Sequence, residues 1–559
     1  MNHSRSEIPG LSTLQLDNIL MRRVSETPKA TAFCWFCPKK QELQSITWFD
    51  LYRRVAQCRN ALYVNHSSDD RIALLMRDRI EWVLVEQAAL ASGIVYTSIP
   101  ANAPYTYQVH ILNDCKPKTV FTDEGLSDLE LGRLKSRFPE IKFVSLDPRS
   151  KSADAFFSDW LLVAKDTKLS GDNLSGRNKH DHFSVVYTSG TTGYPKAVLI
   201  SQQHLVSNLA AVQETKPAFA HDRFLCVGGL SHIMERAVSY YLPMSVGAST
   251  MIVNSEENLL SSLRLFRPTV IVANPAFYQK LFDQLNMGRG EKGLQNRLRL
   301  TNTPSSVRTK TGGQLRILIS GGAPMNRSLA TEMRRSGLPI IEGYGLTEIG
   351  PVVALNDGTG PSESVGKILP GFSWNIDSNG ALLLKTENMW SPYAVHTNEL
   401  SNGDYFQTKD KVRYSNGYLY IEGRMDEILR LDTGEKIHPA SIESDIVQDP
   451  LFDEAVIVGD GRQCLVALVS LNSDAVKQYV IEHPNTSQLS QEFLLTRINL
   501  ALKKHAHIAK IAGVVVADTD TSKIRTSSGV LIRKQFLTAN QEKIDDLYLR
   551  LKQQSLTTV

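Results

Sequence analysis

The chain has 559 residues, more than one hydrophobic core usually organises, so we expect two or more domains. Its 62 basic and 58 acidic residues nearly cancel, which excludes the strongly basic surface of a dedicated nucleic-acid-binding protein. The six scattered cysteines are unlike the dense framework of a small secreted domain, and no run of about 18 apolar residues predicts a membrane span. We therefore expect a cytoplasmic protein with at most peripheral contact at the inner membrane face.

The first cysteine pair has the spacing of a metal-binding or redox motif. Cys34 and Cys37 flank Trp35-Phe36, but no second pair follows them. Free cysteine commonly behaves as a small apolar residue, and aromatic residues surround this pair. A strand with core-facing thiols is the favoured interpretation, and metal or redox chemistry is the alternative.

Apolar runs rich in β-branched residues alternate with helical patterns over the first part of the chain. RIALLM, TVFTD and KFVSL predict strands, whereas IEWVLVEQAALASGI predicts a helix. The rhythm resumes in SVVYT, AVLI, LFRPTVIVANPAFYQKLF and LRILISG. Short Val- and Ile-rich runs of this kind are typical of strands buried on both faces of a mostly parallel sheet, so we expect a large α/β body.

Past about residue 355 the pattern changes to short strands and turns, with hairpin signals at Asn379-Gly380 and Asn416-Gly417. After Gly423, the helical SIESDIVQ and the strands AVIVGD and CLVALVS indicate a smaller α+β unit. The predicted fold class is α/β and α+β. We expect residues 1–422 to form a large N-terminal domain of parallel-rich α/β subdomains plus a β-rich subdomain, and residues 423–559 to form a small C-terminal α+β domain.

The most informative segment is YTSGTTGYPK, from Tyr187 to Lys196, between two predicted strands. Its small hydroxyl residues and glycines would let backbone N–H groups approach an anion, and Lys196 adds a positive charge. The Walker pattern GxxxxGK[ST] is absent. On composition alone, a surface loop rich in Ser, Thr and Gly is the alternative to a phosphate-binding loop.

This decapeptide resembles the phosphate-binding loop of the adenylate-forming superfamily of acyl-CoA synthetases, adenylation domains and luciferases. Further matches occur in the same order: Gly321-Gly322-Ala323-Pro324, Gly343-Tyr344-Gly345-Leu346-Thr347-Glu348, Thr408-Lys409-Asp410, Gly423-Arg424-Met425-Asp426 and Gly434-Glu435-Lys436. The resemblance covers nearly the whole chain and is closest to long-chain fatty acyl-CoA synthetases. It implies the adenylate-forming enzyme fold, with a C-terminal domain that turns about Asp426.

The resemblance also implies a set of ATP contacts: Thr188, Ser189, Gly190, Thr191, Thr192, Gly193, Lys196, Gly322, Ala323, Pro324, Tyr344, Gly345, Thr347, Asp410 and Arg424. It assigns catalytic roles to four residues: Lys196, Thr347, Glu348 and His232. Tyr344 would offer a flat face to adenine, Glu348 oxygen ligands to Mg²⁺, and Asp410 acceptors to both ribose hydroxyls. Taken singly, Tyr344 could instead be a buried structural tyrosine, Glu348 a solvated glutamate and Asp410 a turn aspartate.

The segment LSHIMER, from Leu230 to Arg236, resembles the region that lines the carboxylate and acyl pocket of long-chain synthetases. A lone histidine is usually structural, so the pocket role of His232 depends on this match. The implied reaction is attack of a carboxylate on the α-phosphate of ATP, followed by acyl transfer to a thiol beside the Gly434 loop. The expected thiol is that of CoA, or of an acyl carrier protein's phosphopantetheine, and the expected acid is a medium- or long-chain fatty acid.

One departure from the family pattern bears directly on catalysis. Where the family has T-x-x-G-K-x-x-R, this chain has TSSGVLIR, with Val530 at the lysine position. In the family, that lysine contacts the carboxylate and the α-phosphate during adenylation. The valine side chain neither carries charge nor donates a hydrogen bond, and loss of the lysine's contact with the transition state would cost roughly 3 kcal/mol. Three explanations remain open: Lys523 or Lys534 replaces the lysine, the enzyme is slow or uses preformed adenylates, or the chain is a non-catalytic protein that binds ATP or acyl-adenylate.

Overall fold

The computed structural model describes residues 15–163, 182–188, 195–253, 258–286, 304–386, 400–401, 405–433, 435–437, 439–483, 489–502, 511–518, 521–525 and 531–557.

The strands, in chain order, are β1 (Thr31–Cys37), β2 (Glu42–Thr47), β3 (Arg71–Leu75), β4 (Val95–Ile99), β5 (Thr119–Thr122), β6 (Lys142–Ser145), β7 (Ala155–Phe156), β8 (His182–Thr188), β9 (Lys196–Ser201), β10 (Arg223–Cys226), β11 (Ser249–Ile252), β12 (Val270–Ala273), β13 (Ile317–Ser320), β14 (Ile340–Leu346), β15 (Gly350–Leu355), β16 (Lys367–Ile368), β17 (Phe372–Ile376), β18 (Ala381–Thr386), β19 (Leu400–Ser401), β20 (Tyr405–Ser415), β21 (Tyr418–Arg424), β22 (Leu429–Arg430), β23 (Lys436–Ile437), β24 (Phe452–Val458), β25 (Leu465–Leu471) and β26 (Ile511–Val516).

The helices are α1 (Leu16–Glu26), α2 (Trp48–Asn65), α3 (Ile80–Ser92), α4 (Tyr105–Cys115), α5 (Asp128–Arg137), α6 (Phe157–Leu162), α7 (Gln202–Thr215), α8 (Ile233–Glu235), α9 (Leu242–Val246), α10 (Leu259–Phe266), α11 (Pro275–Asn286), α12 (Pro304–Lys310), α13 (Arg327–Arg335), α14 (Pro439–Ile446), α15 (Ser473–Glu482), α16 (Gln491–Ala501), α17 (Arg533–Ala539) and α18 (Gln541–Thr557). A π-helical segment, Arg236–Tyr241, joins α8 to α9, and short 3₁₀ turns occur at Met425–Glu427 and Thr521–Ile524.

Two parallel-rich sheets form the large domain, as the alternating pattern predicted. The first has the order β7-β6-β5-β3-β4-β8-β9, and only the β8–β9 pair is antiparallel. The second has the order β16-β15-β14-β13-β12-β10-β11-β1-β2, parallel from β1 to β14. The N-terminal hairpin β1–β2 therefore belongs to the second sheet, where Phe33 pairs with Thr250.

A single hydrophobic core joins these two sheets. Helix α3 lies inside this core and is buried on nearly all sides, and its Trp82 is fully buried with the indole N–H donating to Ser98 Oγ at 3.0 Å. Trp48, Tyr96 and Tyr240 pack in the same cluster. The core thus fixes the two sheets relative to each other and leaves the ends of their strands free to carry function.

The β-rich subdomain consists of β17 to β21, and both predicted hairpins are confirmed. At the β20–β21 turn, Asn416 (φ 53°) and Gly417 (φ 84°) are both left-handed, the geometry that favours Asn-Gly in a tight hairpin. The β17–β18 turn is longer, and only Gly380 is left-handed there (φ 87°). Helices are absent among the described residues of this subdomain.

The C-terminal part is the expected small α+β domain. Its main sheet, β24-β25-β26, packs against α14 to α18 over hydrophobic clusters of its own. The position of the junction, at residues 422 and 423, stays a prediction.

The cysteine pair lies on a strand, as expected. Cys34 is buried in β1, where burial raises its thiol pKa to about 11, and Cys37 is half-buried at the strand end. All six cysteines are free, and among the described residues no group of three or more His, Cys, Asp or Glu side chains could hold a metal ion. In the same part of the chain, no helix is both long enough and apolar enough to span a membrane.

Candidate active site

The predicted motifs converge on the carboxyl ends of strands from both large sheets. Thr188 ends β8, His232 follows β10, and Gly321 follows β13. The two edges meet where Asp78, after β3, accepts a hydrogen bond from the Leu230 backbone N–H at 2.9 Å. Ligands of α/β sheets bind outside the carboxyl ends of the strands, so this junction is the candidate site.

Three predicted nucleotide contacts are brought together from distant parts of the sequence. The Tyr344 hydroxyl on β14 donates to Asp410 Oδ2 at 2.5 Å, and Arg424 Nη1 lies 3.2 Å from Asp410 Oδ1. Asp410 and Arg424 are direct cross-strand partners on β20 and β21. An ionised carboxylate has about four acceptor sites, so one on each oxygen remains for a diol ligand.

Asp410 is 4% exposed as a residue, and its surroundings act on the pKa of its carboxyl in opposite directions. Burial raises the pKa above the usual range, while the Arg424 charge and the Tyr344 hydrogen bond partly offset this effect. Burial, with the neighbouring carboxylate, holds the Tyr344 pKa well above its ordinary value. The tyrosine therefore stays a hydrogen-bond donor at neutral pH.

Arg424 also contacts the predicted hinge aspartate. Its Nε lies 3.2 Å from Asp426 Oδ1, so the guanidinium bridges the carboxylates of Asp410 and Asp426. Lys409, inside β20 where the register with β18 shifts, has φ 62°, a left-handed conformation that is uncommon outside glycine. This irregularity inside β20 carries backbone strain next to Asp410, the cross-strand partner of Arg424.

Close backbone approach explains a glycine of the GYGLTE motif. A Cβ on Gly345 would lie 2.0 Å from the Pro351 carbonyl oxygen, where β14 turns back along β15. No side chain fits there, so Gly345 allows the two strands to meet. The tight pairing holds the turn that follows, at Thr347 and Glu348.

Thr347 and Glu348 lie half-buried in the turn between β14 and β15. Mg²⁺ is commonly held by one or two carboxylates together with substrate phosphates rather than by an all-protein cage. A half-buried carboxylate beside the predicted nucleotide contacts suits that mode of binding. Glu348 would hold the ion, which would neutralise charge on the phosphates.

The GGAP segment lies beside the GYGLTE strand and the LSHIMER segment. Gly322 is left-handed (φ 80°) in open space, so the backbone conformation is what requires glycine there. A Cβ on Gly321 would lie 2.8 Å from Met234 Sδ and 3.7 Å from the Gly343 carbonyl. Ala323 is half-buried and Pro324 is exposed at this edge.

His232 is half-buried, and it is the residue immediately before α8. Its backbone N–H donates to the Gly229 carbonyl at 3.0 Å, and its carbonyl accepts from Arg236 N–H at 3.0 Å. The chain segment is thereby fixed next to Met234 and the GGAP loop. His232 therefore lies at the junction of the strand ends, and its place in an acyl pocket and the chemical role of its ring stay predictions.

The predicted phosphate-binding loop is described only at its ends. Thr188 and Lys196 face each other as the closing pair of the β8–β9 hairpin, and both are half-buried. A strand follows the loop, as predicted. Outside the described residues lie Ser189, Gly190, Thr191, Thr192, Gly193, Gly434 and Val530. Lys534 is exposed in α17, and the Lys523 side chain is also outside the described set.

Sequence reasoning missed a buried polar network between α3 and the π-helical segment. Glu86 on α3 is fully buried, accepts from Tyr240 at 2.6 Å and from Gln87 Nε2 at 2.9 Å, and also accepts from Tyr241. Arg236, equally buried, donates through Nη1 to Tyr96 at 2.6 Å. The network ties α3 to the π-helical segment, and its signals in the sequence were Glu86 within an apolar helical run and the arginine of LSHIMER.

Neighbouring Glu235 is also fully buried. Its Oε1 accepts from Val227 N–H at 2.9 Å, while Oε2 has no hydrogen-bond partner. Burial raises its pKa to about 7. A Cβ on Gly228 would lie 2.6 Å from Oε2, so Glu235 packs directly under the loop that leads to His232.

Comparison with protein families matches almost the whole chain. Residues 20–387 match the model of the AMP-binding enzyme family, and residues 426–552 match the model of the AMP-binding enzyme C-terminal domain. The chain is 27% identical over 500 residues to the long-chain-fatty-acid–CoA ligase FadD15 of Mycobacterium bovis, covering 81% of each protein. It is 28% identical over 465 residues to the human long-chain-fatty-acid–CoA ligase ACSBG2, covering 72% of this chain and 68% of that protein.

Solved structures share the fold. An anthranilate CoA ligase, AuaEII, in complex with anthranoyl-AMP matches with a TM-score of 0.76 at 20% identity, over 95% of this chain and 98% of that chain. The adenylation domain of a carboxylate reductase from Mycobacterium chelonae matches with a TM-score of 0.79 at 17% identity, over 96% and 91%. Family model, fold and the converging motifs agree: this chain belongs to the AMP-binding enzyme family and is a ligase of the acyl-CoA synthetase type.

Proposed function

We propose that this protein activates a medium- or long-chain fatty acid as an acyl-adenylate and transfers the acyl group to the thiol of CoA. The main observation behind this proposal is that Tyr344, Asp410 and Arg424 meet in space. They do so near the strand ends from which the GGAP and LSHIMER segments follow. The names of the relatives support the fatty acid as substrate class and CoA as acceptor.

In the first step, a carboxylate oxygen attacks the α-phosphorus of ATP and the bond to the bridging oxygen of pyrophosphate breaks. In the second step, the thiol attacks the acyl carbon, AMP leaves with the carboxylate oxygen, and the thiol proton goes to solvent. Catalysis of the first step is chiefly positioning and charge neutralisation. Asp410 would orient the ribose, Lys196 would neutralise phosphate charge, and Glu348 would hold Mg²⁺.

The experiment is incubation of the purified protein with ATP, Mg²⁺, CoA and a panel of fatty acids. The proposal predicts AMP, pyrophosphate and acyl-CoA in equal amounts for at least one acid. A second acceptor is open on the sequence: acyl-AMP that accumulates with CoA but is consumed by a phosphopantetheinylated carrier protein would identify an acyl-AMP ligase. Nucleotide hydrolysis that does not depend on any acid would contradict both versions.

Val530 favours one further candidate, a non-catalytic protein that binds ATP or acyl-adenylate. Nucleotide binding without acid-dependent pyrophosphate exchange would support this candidate over the ligase. If exchange occurs and Lys534→Ala abolishes it while Lys552→Ala does not, a relocated lysine supplies the missing contact. We expect the protein in the cytoplasm, with at most peripheral contact at the inner membrane face, which cell fractionation checks.

A further inference from the structure

Helix α4 presents a row of polar side chains to the hairpin that carries the phosphate loop. Tyr107, His110 and Asp114 are three and four residues apart, so they lie on one face of the helix. Ile111 and Cys115 are buried on the adjoining side of the helix, in the hydrophobic cluster of the first sheet. The helix is therefore fixed by its apolar face, and its polar face is held rigidly against β8 and β9.

Each polar residue of this face contacts an end of the loop. The Tyr107 hydroxyl donates to the Tyr187 carbonyl at 3.3 Å, and the Tyr187 hydroxyl donates to Asp114 Oδ2 at 2.5 Å. On the other arm, His110 Nε2 lies 3.1 Å from the Pro195 carbonyl oxygen. Both arms of the hairpin are thus anchored to one helix, within one residue of Thr188 and Lys196.

The chemistry of these bonds fixes their direction. A carbonyl oxygen can only accept, so His110 must carry a proton on Nε2. Burial raises the pKa of Tyr107 to about 12 and holds that of Tyr187 above its ordinary value, so both hydroxyls are donors at neutral pH. The three bonds therefore coexist in one protonation state.

We propose that the polar face of α4, defined by Tyr107, His110 and Asp114, positions the ends of the phosphate loop and so sets the affinity for the β- and γ-phosphates of ATP. These are positioning residues. Thr188 and Lys196 pair across the hairpin, so a displacement of Tyr187 or Pro195 moves them directly. This inference rests on the proposed function, in which that loop holds the phosphates.

The test compares the dissociation constants of ATP and AMP, measured by calorimetry, for wild-type protein and variants of this face. Loss of one hydrogen bond at His110→Leu or Asp114→Ala should weaken ATP binding by about 5- to 10-fold. AMP lacks the β- and γ-phosphates, and its affinity should stay within about two-fold. A purely structural defect would weaken both nucleotides, so the difference between them is the diagnostic readout.

His110→Gln should restore ATP affinity, because the glutamine amide can donate from nearly the same position as Nε2. Asn113→Ala, on the exposed side of the same helix, is the matched control and should change neither constant. Asp114 is exposed, so its variant keeps the test valid if His110→Leu fails to fold.

If wild-type protein binds neither nucleotide, the proposed function and this inference fail together. If it binds both, and the variants lose ATP and AMP equally or lose neither, the proposed function stands and the inference alone is wrong.

Discussion

Replacing Asp410 by asparagine tests the nucleoside site most sharply. The carboxylate offers about four acceptor sites, of which Tyr344 and Arg424 each occupy one. Asparagine keeps only one oxygen. One of the two acceptor sites left for the ribose hydroxyls therefore becomes an N–H donor, and the negative charge of the carboxylate is lost. A hydrogen bond to a charged group contributes about 1.5–3 kcal/mol, which predicts AMP binding weaker by about 10- to 150-fold.

The assay is calorimetric titration of AMP, with Tyr344→Phe as the control. That change removes one bond to Asp410 but leaves both free acceptor sites, so its effect should be several-fold smaller than that of Asp410→Asn. Burial raises the Asp410 pKa, so wild-type AMP affinity should fall as the pH drops through that raised value, and the asparagine variant should lose this dependence. Equal AMP affinity in wild-type protein and a folded Asp410→Asn variant would refute the assigned role.

Three further predictions follow from particular contacts. Gly345→Ala places a Cβ 2.0 Å from the Pro351 carbonyl oxygen, so this variant should have a lower melting temperature and should not bind AMP. Gly322→Ala lies in open space and should lose only about 1–2 kcal/mol of stability, because of its left-handed φ. Equal melting temperatures for the two variants would contradict this prediction. Glu235 has its pKa raised from 4.5 to about 7, so the folded state binds more protons than the unfolded state in that window. The contribution of Glu235 to the unfolding free energy should be fully present below about pH 4.5 and fall by roughly 3 kcal/mol as the pH rises through about 7. In urea titrations, the unfolding free energy of wild-type protein relative to that of Glu235→Gln should fall by about this amount over the same pH range. Val530→Lys should raise acid-dependent pyrophosphate exchange about 100-fold if only that contact is missing, and an unchanged rate would reject this explanation of the tail.

Short sequence patterns predicted the helices and strands well, because the propensity of a segment for either depends mainly on its own residues. Val- and Ile-rich runs gave the parallel strands, and Asn416-Gly417 gave a hairpin because both positions need a left-handed backbone. The motif residues were also predictable, and Tyr344, Asp410 and Arg424 do meet. The order of the motifs along the chain could not show the distances between Tyr344, Asp410 and Arg424, because those distances depend on which strands pair.

The rest depended on tertiary packing. The chain segment at Phe33 joins the second sheet, although its sequence neighbours build the first, because pairing with Thr250 is not encoded locally. The π-helical segment at Arg236 is stabilised by contacts with α3 and β8 that lie more than 50 residues away. His110 carries no motif at all, and only the folded chain shows it against Pro195.

The most direct test of the central claim is the fate of the carboxylate oxygen. Fatty acid labelled with ¹⁸O in its carboxyl group is incubated with the protein, ATP, Mg²⁺ and CoA, and the nucleotide products are analysed by mass spectrometry. Attack of the acid on the α-phosphorus predicts AMP that carries one ¹⁸O atom for each acyl-CoA formed. Label found in inorganic phosphate together with ADP, or acyl-CoA formed with unlabelled AMP, would contradict activation through an acyl-adenylate.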